Sequence, residues 1–258
     1  MRLDNPLKDR LAAGQTIVGP LLSFNSPELV ELFGHVGFDF VLIDAEHNLV
    51  SPETCQHLVR AAETAGIVPL VRVPRNEPTA ILPYLETGAL GVVVPHIASV
   101  ADAERAVSAV KYRPRGNRSA AGSSRPANYG LTQSAPEYFA ASNAHTLVIA
   151  LVEEVAGFRN LEDIGRVDGL DVLFFGDGDL AMDMGYPGQR DHPEVRKVID
   201  DARRRGLAAG FALGAPAGSG ALAAEQVRSG FRFVLVPALA LVAQASRQFL
   251  EFRGGTQP

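Results

Sequence analysis

FDFVLIDAEHN, residues 38–48, is a short apolar run (FDFVLI, 38–43) that turns polar at Asp44, Glu46 and His47. Other runs end the same way. Arg72 closes IVPLVRV (67–73), His96 follows LGVVVP (90–95), Glu153 follows TLVIALV (146–152) and Asp179 lies just beyond DVLFF (171–175). Neighbouring polar ends mostly lie roughly 25 residues apart, the length of one strand and one covering helix. That rhythm puts them on one rim, the strand C-terminal ends of a barrel, where charged residues read as chemistry more than as stability.

Three further runs, TIVGPLLS (16–23), LAAGFAL (207–213) and FRFVLVP (231–237), bring the strand candidates to eight. All are nearly apolar on both sides, as parallel strands covered by helices must be. Helix starts stand between them at Ser26-Pro27-Glu28, Ser51-Pro52-Glu53, Glu77-Pro78 and Ser99. A serine cap, a proline at the first helical position and an acid in the first turn suit a helix N-terminus. Gly37, Gly66, Gly88, Gly206 and Gly230 fall where helices should stop. The pattern predicts one α/β domain over 1–258, a single (β/α)8 TIM barrel; a doubly wound sheet is the competing architecture. The rhythm breaks at 113–145, a long loop with Arg113, Arg115, Arg118 and Arg125, followed by a short helix near 135–143. The alanine-rich helix 238–252 has an apolar face, expected to pack on a neighbouring subunit, and 254–258 (GGTQP) reads as a disordered tail.

Composition narrows the function classes. A chain of 258 residues can bury a full core, and its formal charge of −5 offers no basic field for nucleic acid or an anionic membrane. Cys55 is the single cysteine, which excludes an internal disulfide and suits a reducing cytoplasm. The opening MRLDNPLKDRLAAG has no continuous apolar segment, so neither a signal peptide nor a membrane span is expected there.

Glu153 and Asp179, one strand–helix unit apart, would stand on adjacent strands, where two carboxylates suit Mg²⁺ or Mn²⁺. Spacing leaves Glu154 and Asp177 as equal candidates, and a solvated acid pair as the plain alternative. His47, beside Asp44 and Glu46, suits proton transfer, and the planar fork of Arg72 suits a carboxylate. The same residues also fit a structural histidine and a rim salt bridge. The three lysines, Lys8, Lys111 and Lys197, fall away from strand ends, so no Schiff base is expected and carbonyl activation falls to a metal. Cys55 and His57 sit in a helical pattern and read as structural. The loop arginines suit a phosphorylated or CoA-bearing substrate, or else a solvated or subunit-contacting face.

These residues resemble the HpcH/HpaI aldolases, class II pyruvate aldolases of the phosphoenolpyruvate/pyruvate barrel superfamily. The resemblance runs from about residue 8 to about residue 250, through FDFVLIDAEHN (38–48), PLVRVPRNEP (69–78), LETGALGVVVPHI (85–97), AVKYRPRGNRSAAGSSR (109–125), LVEEVAGFRNLEDI (151–164) and VDGLDVLFFGDGDLAMDMGYPGQRDHPEV (167–195). It implies Glu153 and Asp179 as ligands of a divalent ion (Mg²⁺, Mn²⁺ or Co²⁺). It implies His47 as the catalytic histidine with Asp44 near it, Arg72 as the holder of pyruvate, and Gly178 and Asp179 beside the bound oxo acid. Glu86 falls where the family has an aspartate paired with that histidine. The implied reaction is reversible cleavage of a 4-hydroxy-2-oxo acid to pyruvate and an aldehyde, in a hexamer assembled through C-terminal helices.

The chain departs from the pattern at four places. Leu151 replaces a glutamine, Asp177 replaces a proline, Leu239 replaces an acid, and His96 stands where an apolar residue is usual. These changes alter substrate fit and charge around the ion. They keep two other readings open: a Claisen-type reaction of an oxo acid with a CoA thioester, and a non-catalytic paralogue that binds metal and oxo acid.

Overall fold

Eight parallel strands among the described residues pair in chain order and close into a barrel. They are β1 (Ile17–Leu22), β2 (Phe40–Asp44), β3 (Val68–Arg72), β4 (Gly91–Val94), β5 (Leu147–Val152), β6 (Val172–Phe175), β7 (Leu213–Pro216) and β8 (Phe233–Pro237). The seam joins β1 to β8, with Ile17 opposite Phe233 and Leu21 opposite Pro237. The structure, a computed structural model, describes residues 4–253. The expected tail at 254–258 lies outside the described residues.

Alternation along the strands divides the apolar side chains into two layers. Phe40, Leu42, Leu70, Ile149, Leu151, Phe174 and Phe233 fill the lumen. Phe233 stacks on Phe40 at 4.4 Å and meets Phe174 edge-on at 5.8 Å. Val41, Ile43, Val71, Val92, Val148 and Phe175 instead face the surrounding helices. The helix Pro6–Ala12 contributes its buried Leu7 to the lumen cluster. Helix starts follow the sequence signals: Ser26, Ser51 and Ser99 accept the backbone N–H of Leu29 (3.3 Å), Thr54 (3.1 Å) and Asp102 (3.2 Å).

The seventh strand differs from the apolar run expected at 207–213. Leu207 and Ala208 are strong helix formers and extend the helix Pro193–Ala208 past Gly206. Gly210, at φ +80°, makes the turn that Gly206 was expected to make, and β7 begins at Leu213.

The long loop follows the helix Val100–Val110 and precedes β5, so it connects a helix to a strand at the N-terminal end of the barrel, away from the rim. Three of its arginines turn to this chain's own acids. Arg118 is buried and donates to Glu86 at 2.8 Å, Arg115 meets Asp168 at 3.1 Å, and Arg125 pairs with Glu63 and donates to the Thr87 carbonyl at 2.8 Å. The last helix, Ala238–Leu250, buries only Ala238, and it leaves Leu239, Val242 and Phe249 exposed, with Phe252 just beyond. No described helix is long and apolar enough to cross a membrane.

Candidate active site

The same alternation that fills the lumen delivers the polar groups. Phe40 and Leu42 point inward on β2, so Asp44 continues the series at the rim; Val68 and Leu70 do so for Arg72 on β3; Leu147, Ile149 and Leu151 do so for Glu153 after β5. Strand parity therefore separates Glu153, 2% exposed, from Glu154, whose side chain is 38% exposed.

Asp44 and Arg72 sit opposite each other in the β2–β3 register. Arg72 grips the carboxylate with Nε on Oδ1 (2.9 Å) and Nη2 on Oδ2 (2.8 Å). The turn beyond β2 folds over the same group: the backbone N–H of Glu46 (3.2 Å) and of His47 (3.4 Å) and the Asn48 amide all donate to Asp44. Burial alone would raise the Asp44 carboxyl, but Arg72 and these N–H groups hold it below its ordinary value. Two Arg72 hydrogens of the Nε–Nη2 edge are thus committed, and Nη1 makes no protein hydrogen bond among the described residues.

Around this pair lies a second group of charges. Donor atoms of Glu46, His96 and Glu153 all lie within 4.8 Å of one another. His96 Nδ1 is 3.0 Å from Glu154 and 3.4 Å from Glu153, and its Nε2 is 3.8 Å from Glu46. Glu153 also accepts the His96 backbone N–H at 3.0 Å. Burial, with the charges of Glu46 and Asp179 and against the pull of His96, pushes the Glu153 carboxyl up to about 7. Glu46 is likewise raised by burial, against the pull of Arg72, His47 and His96. Its Oε2 is buried, 3.2 Å from Arg72 Nε, and accepts no hydrogen bond. Buried carboxylates that repel one another, one of them with an oxygen that accepts no hydrogen bond, are the environment in which a divalent cation lowers both penalties. The donor set fits such an ion.

Gly176, next after β6, lets Glu153 approach: a Cβ there would stand 2.7 Å from Glu153 Cβ and 3.0 Å from Oε2. Asp177, Gly178 and Asp179 form the first turn of the helix Asp177–Asp183, with Asp179 exposed. Asp177 is raised by burial and faces Arg190 at 3.8 Å. His47 is exposed at the mouth, with Nε2 3.7 Å from Glu46. Its expected pairing with Glu86 is not made in this chain. Glu86 caps the far end of the helix Pro78–Leu85, and its carboxylate goes to Arg118. An eight-residue helix carries it about 12 Å from the rim, toward the opposite end of the barrel. Glu46 and His96 gain their place here from geometry; as strand-end residues they were visible in the sequence without an assigned role. Lys8 instead pairs with Asp171 (2.9 Å), and the buried Lys111 donates to the carbonyls of Asn143 (2.9 Å) and Thr146 (2.6 Å), so neither reaches the mouth.

The chain is similar to known proteins over most of its length. Residues 20–236 match the family described as HpcH/HpaI aldolase/citrate lyase. The 2-keto-3-deoxy-L-rhamnonate aldolase of Klebsiella pneumoniae subsp. pneumoniae is 35% identical over 238 residues, 91% of this chain and 87% of that protein. A solved HpcH/HpaI aldolase/citrate lyase family protein from Burkholderia cenocepacia J2315 superposes with a TM-score of 0.91 at 32% identity, covering 97% of this chain and 100% of that one. A solved citrate synthase superposes with a TM-score of 0.85 at 30% identity, covering 98% of each chain. This chain belongs to the HpcH/HpaI aldolase/citrate lyase family.

Proposed function

We propose that the chain is a class II pyruvate aldolase in which Glu153 and Asp179 hold a divalent ion, Mg²⁺, Mn²⁺ or Co²⁺, beside the Asp44–Arg72 pair. The observation that carries this reading is the buried Glu153 carboxylate, crowded by other acids within reach of a fixed guanidinium. The reaction is reversible cleavage of a 4-hydroxy-2-oxo acid to pyruvate and an aldehyde.

The ion, when bound, supplies a Lewis acid that draws electron density from the keto acid. Arg72 binds the substrate carboxylate through its uncommitted Nη1 edge, while Asp44 fixes the plane of the guanidinium. Gly178 and Asp179 border the same oxo acid. His47 stands at the open mouth, where its imidazole gives a proton to, or takes one from, the aldehyde or aldol oxygen. Leu151, fully buried just below Glu153, keeps the floor of the site apolar. The small-molecule partners are the oxo acid and the aldehyde. The exposed apolar residues on Ala238–Leu250 suit contact between copies of the chain, and the family resemblance implies a hexamer.

The test is retro-aldol turnover on a panel of 4-hydroxy-2-oxo acids, with and without a chelator. Turnover that stops on chelation and returns with added ion is expected; turnover indifferent to chelation rejects the reading. A second reading, Claisen-type chemistry on a CoA thioester, draws support from the likeness to a citrate synthase. It loses the loop arginines, which are engaged at the other end of the barrel. Thermal stabilisation by CoA esters but not by pyruvate would favour it.

A further inference from the structure

We infer that His96 is an additional ligand of the divalent ion, giving an otherwise all-oxygen site a nitrogen donor and shifting its preference from Mg²⁺ toward Co²⁺ and Zn²⁺. The inference rests on the ion-binding reading above. Imidazole suits the later transition metals, whereas carboxylate and water alone suit Mg²⁺ and Mn²⁺.

The ring is arranged for it. Nδ1 hydrogen-bonds Glu154 at 3.0 Å, the kind of outer partner that fixes the tautomer of a metal-binding histidine. With the proton on Nδ1, Nε2 is an acceptor and lies 3.8 Å from Glu46 Oε1, a second acceptor. That separation exceeds a hydrogen bond and is a few tenths of an ångström wider than the roughly 3.4 Å between two tetrahedral donors each about 2.1 Å from one cation, a gap that a small turn of the exposed imidazole closes. The Glu46 side chain is only 9% exposed, and its Oε2 accepts no hydrogen bond. His96 itself holds a left-handed backbone, φ 57°, rarely adopted outside glycine, and its N–H is anchored on Glu153. The imidazole side chain is 59% exposed at the mouth, open to an arriving ion.

The experiment titrates Mg²⁺, Mn²⁺, Co²⁺ and Zn²⁺ calorimetrically into the full-length wild type and His96→Gly, a variant that keeps the positive φ without strain. Pulsed electron paramagnetic resonance of the Mn²⁺ form reads nitrogen coupling directly. The inference expects nitrogen coupling in the wild type that is lost in the variant. It also expects Co²⁺ and Zn²⁺ affinity to fall about tenfold or more while Mg²⁺ affinity changes less than about threefold. Absence of nitrogen coupling in the wild type, or unchanged ion selectivity in the variant, overturns it and leaves the Glu153–Asp179 reading standing. A wild type that binds none of the four ions overturns both.

Discussion

At the scale of single residues, the site is a contest between burial and charge. Glu153 and Glu46 are pushed toward the neutral form because they are buried among like charges, while Asp44 stays ionised because Arg72 and three donors of the β2 turn surround it. Replacing Glu153 by Gln should weaken divalent-ion affinity roughly 100-fold or more in a calorimetric titration, since one of few anionic donors is lost. Arg72→Lys should weaken oxalate or pyruvate binding about ten- to hundredfold, because a fork already shared with Asp44 becomes a point charge. Equal oxalate affinity in that variant would return Arg72 to a rim salt bridge. The choice between Glu153 and Glu154 was legible in principle, because inward parity runs through Leu147, Ile149 and Leu151 to 153. It required knowing the strand register, which spacing alone leaves open. His96 was harder to place: its reach to Glu46 depends on a left-handed turn after β4 that no local sequence signal announces.

Elements explain where the reading of the sequence was right and where geometry took over. Serine caps and prolines at the first helical turn marked helix starts because they act locally, through one side chain and the adjacent backbone. The seventh strand is harder to place because LAAGFAL is apolar whether it ends a helix or fills a strand, and helix propensity assigns its first residues to the helix. The helix–strand connection before β5 is held by Lys111, whose amine burial lowers to about 8 while it donates to the Asn143 and Thr146 carbonyls. Lys111→Met should cost about 1–3 kcal/mol at neutral pH by leaving two buried carbonyls unpaired. The pH dependence has a definite sign. Between about 8 and the ordinary lysine value of 10.5 the unfolded chain carries more protons than the folded one. The stability of the wild type relative to Lys111→Met should therefore rise with pH through that window and be flat below it, as read by urea unfolding. Cys55, in the helix Pro52–Ala65, is buried with its thiol pushed up to about 12. It should resist thiol reagents at pH 8 until the protein unfolds.

Across the whole molecule, the barrel was legible because eight apolar runs and their intervening helices repeat at a regular interval; burial of both faces fits an open doubly wound sheet equally, and the pairing of β1 with β8 is what closes this one. The place of Glu86 was not, since a residue after a helix lies at the opposite end of the barrel from a residue after a strand, and only topology distinguishes them. The exposed Leu239, Val242 and Phe249 predict association: light scattering should give a mass above one chain, falling to one chain in a Val242→Glu, Phe249→Glu variant. A wild type that is already monomeric would remove that expectation. The most direct measurement of the central claim is proton NMR of the pyruvate methyl group in deuterated water with the metal-loaded protein. The account predicts methyl exchange that disappears on chelation, returns with added ion and is absent in Glu153→Gln. Exchange that persists at full rate after chelation, or in Glu153→Gln, would contradict it.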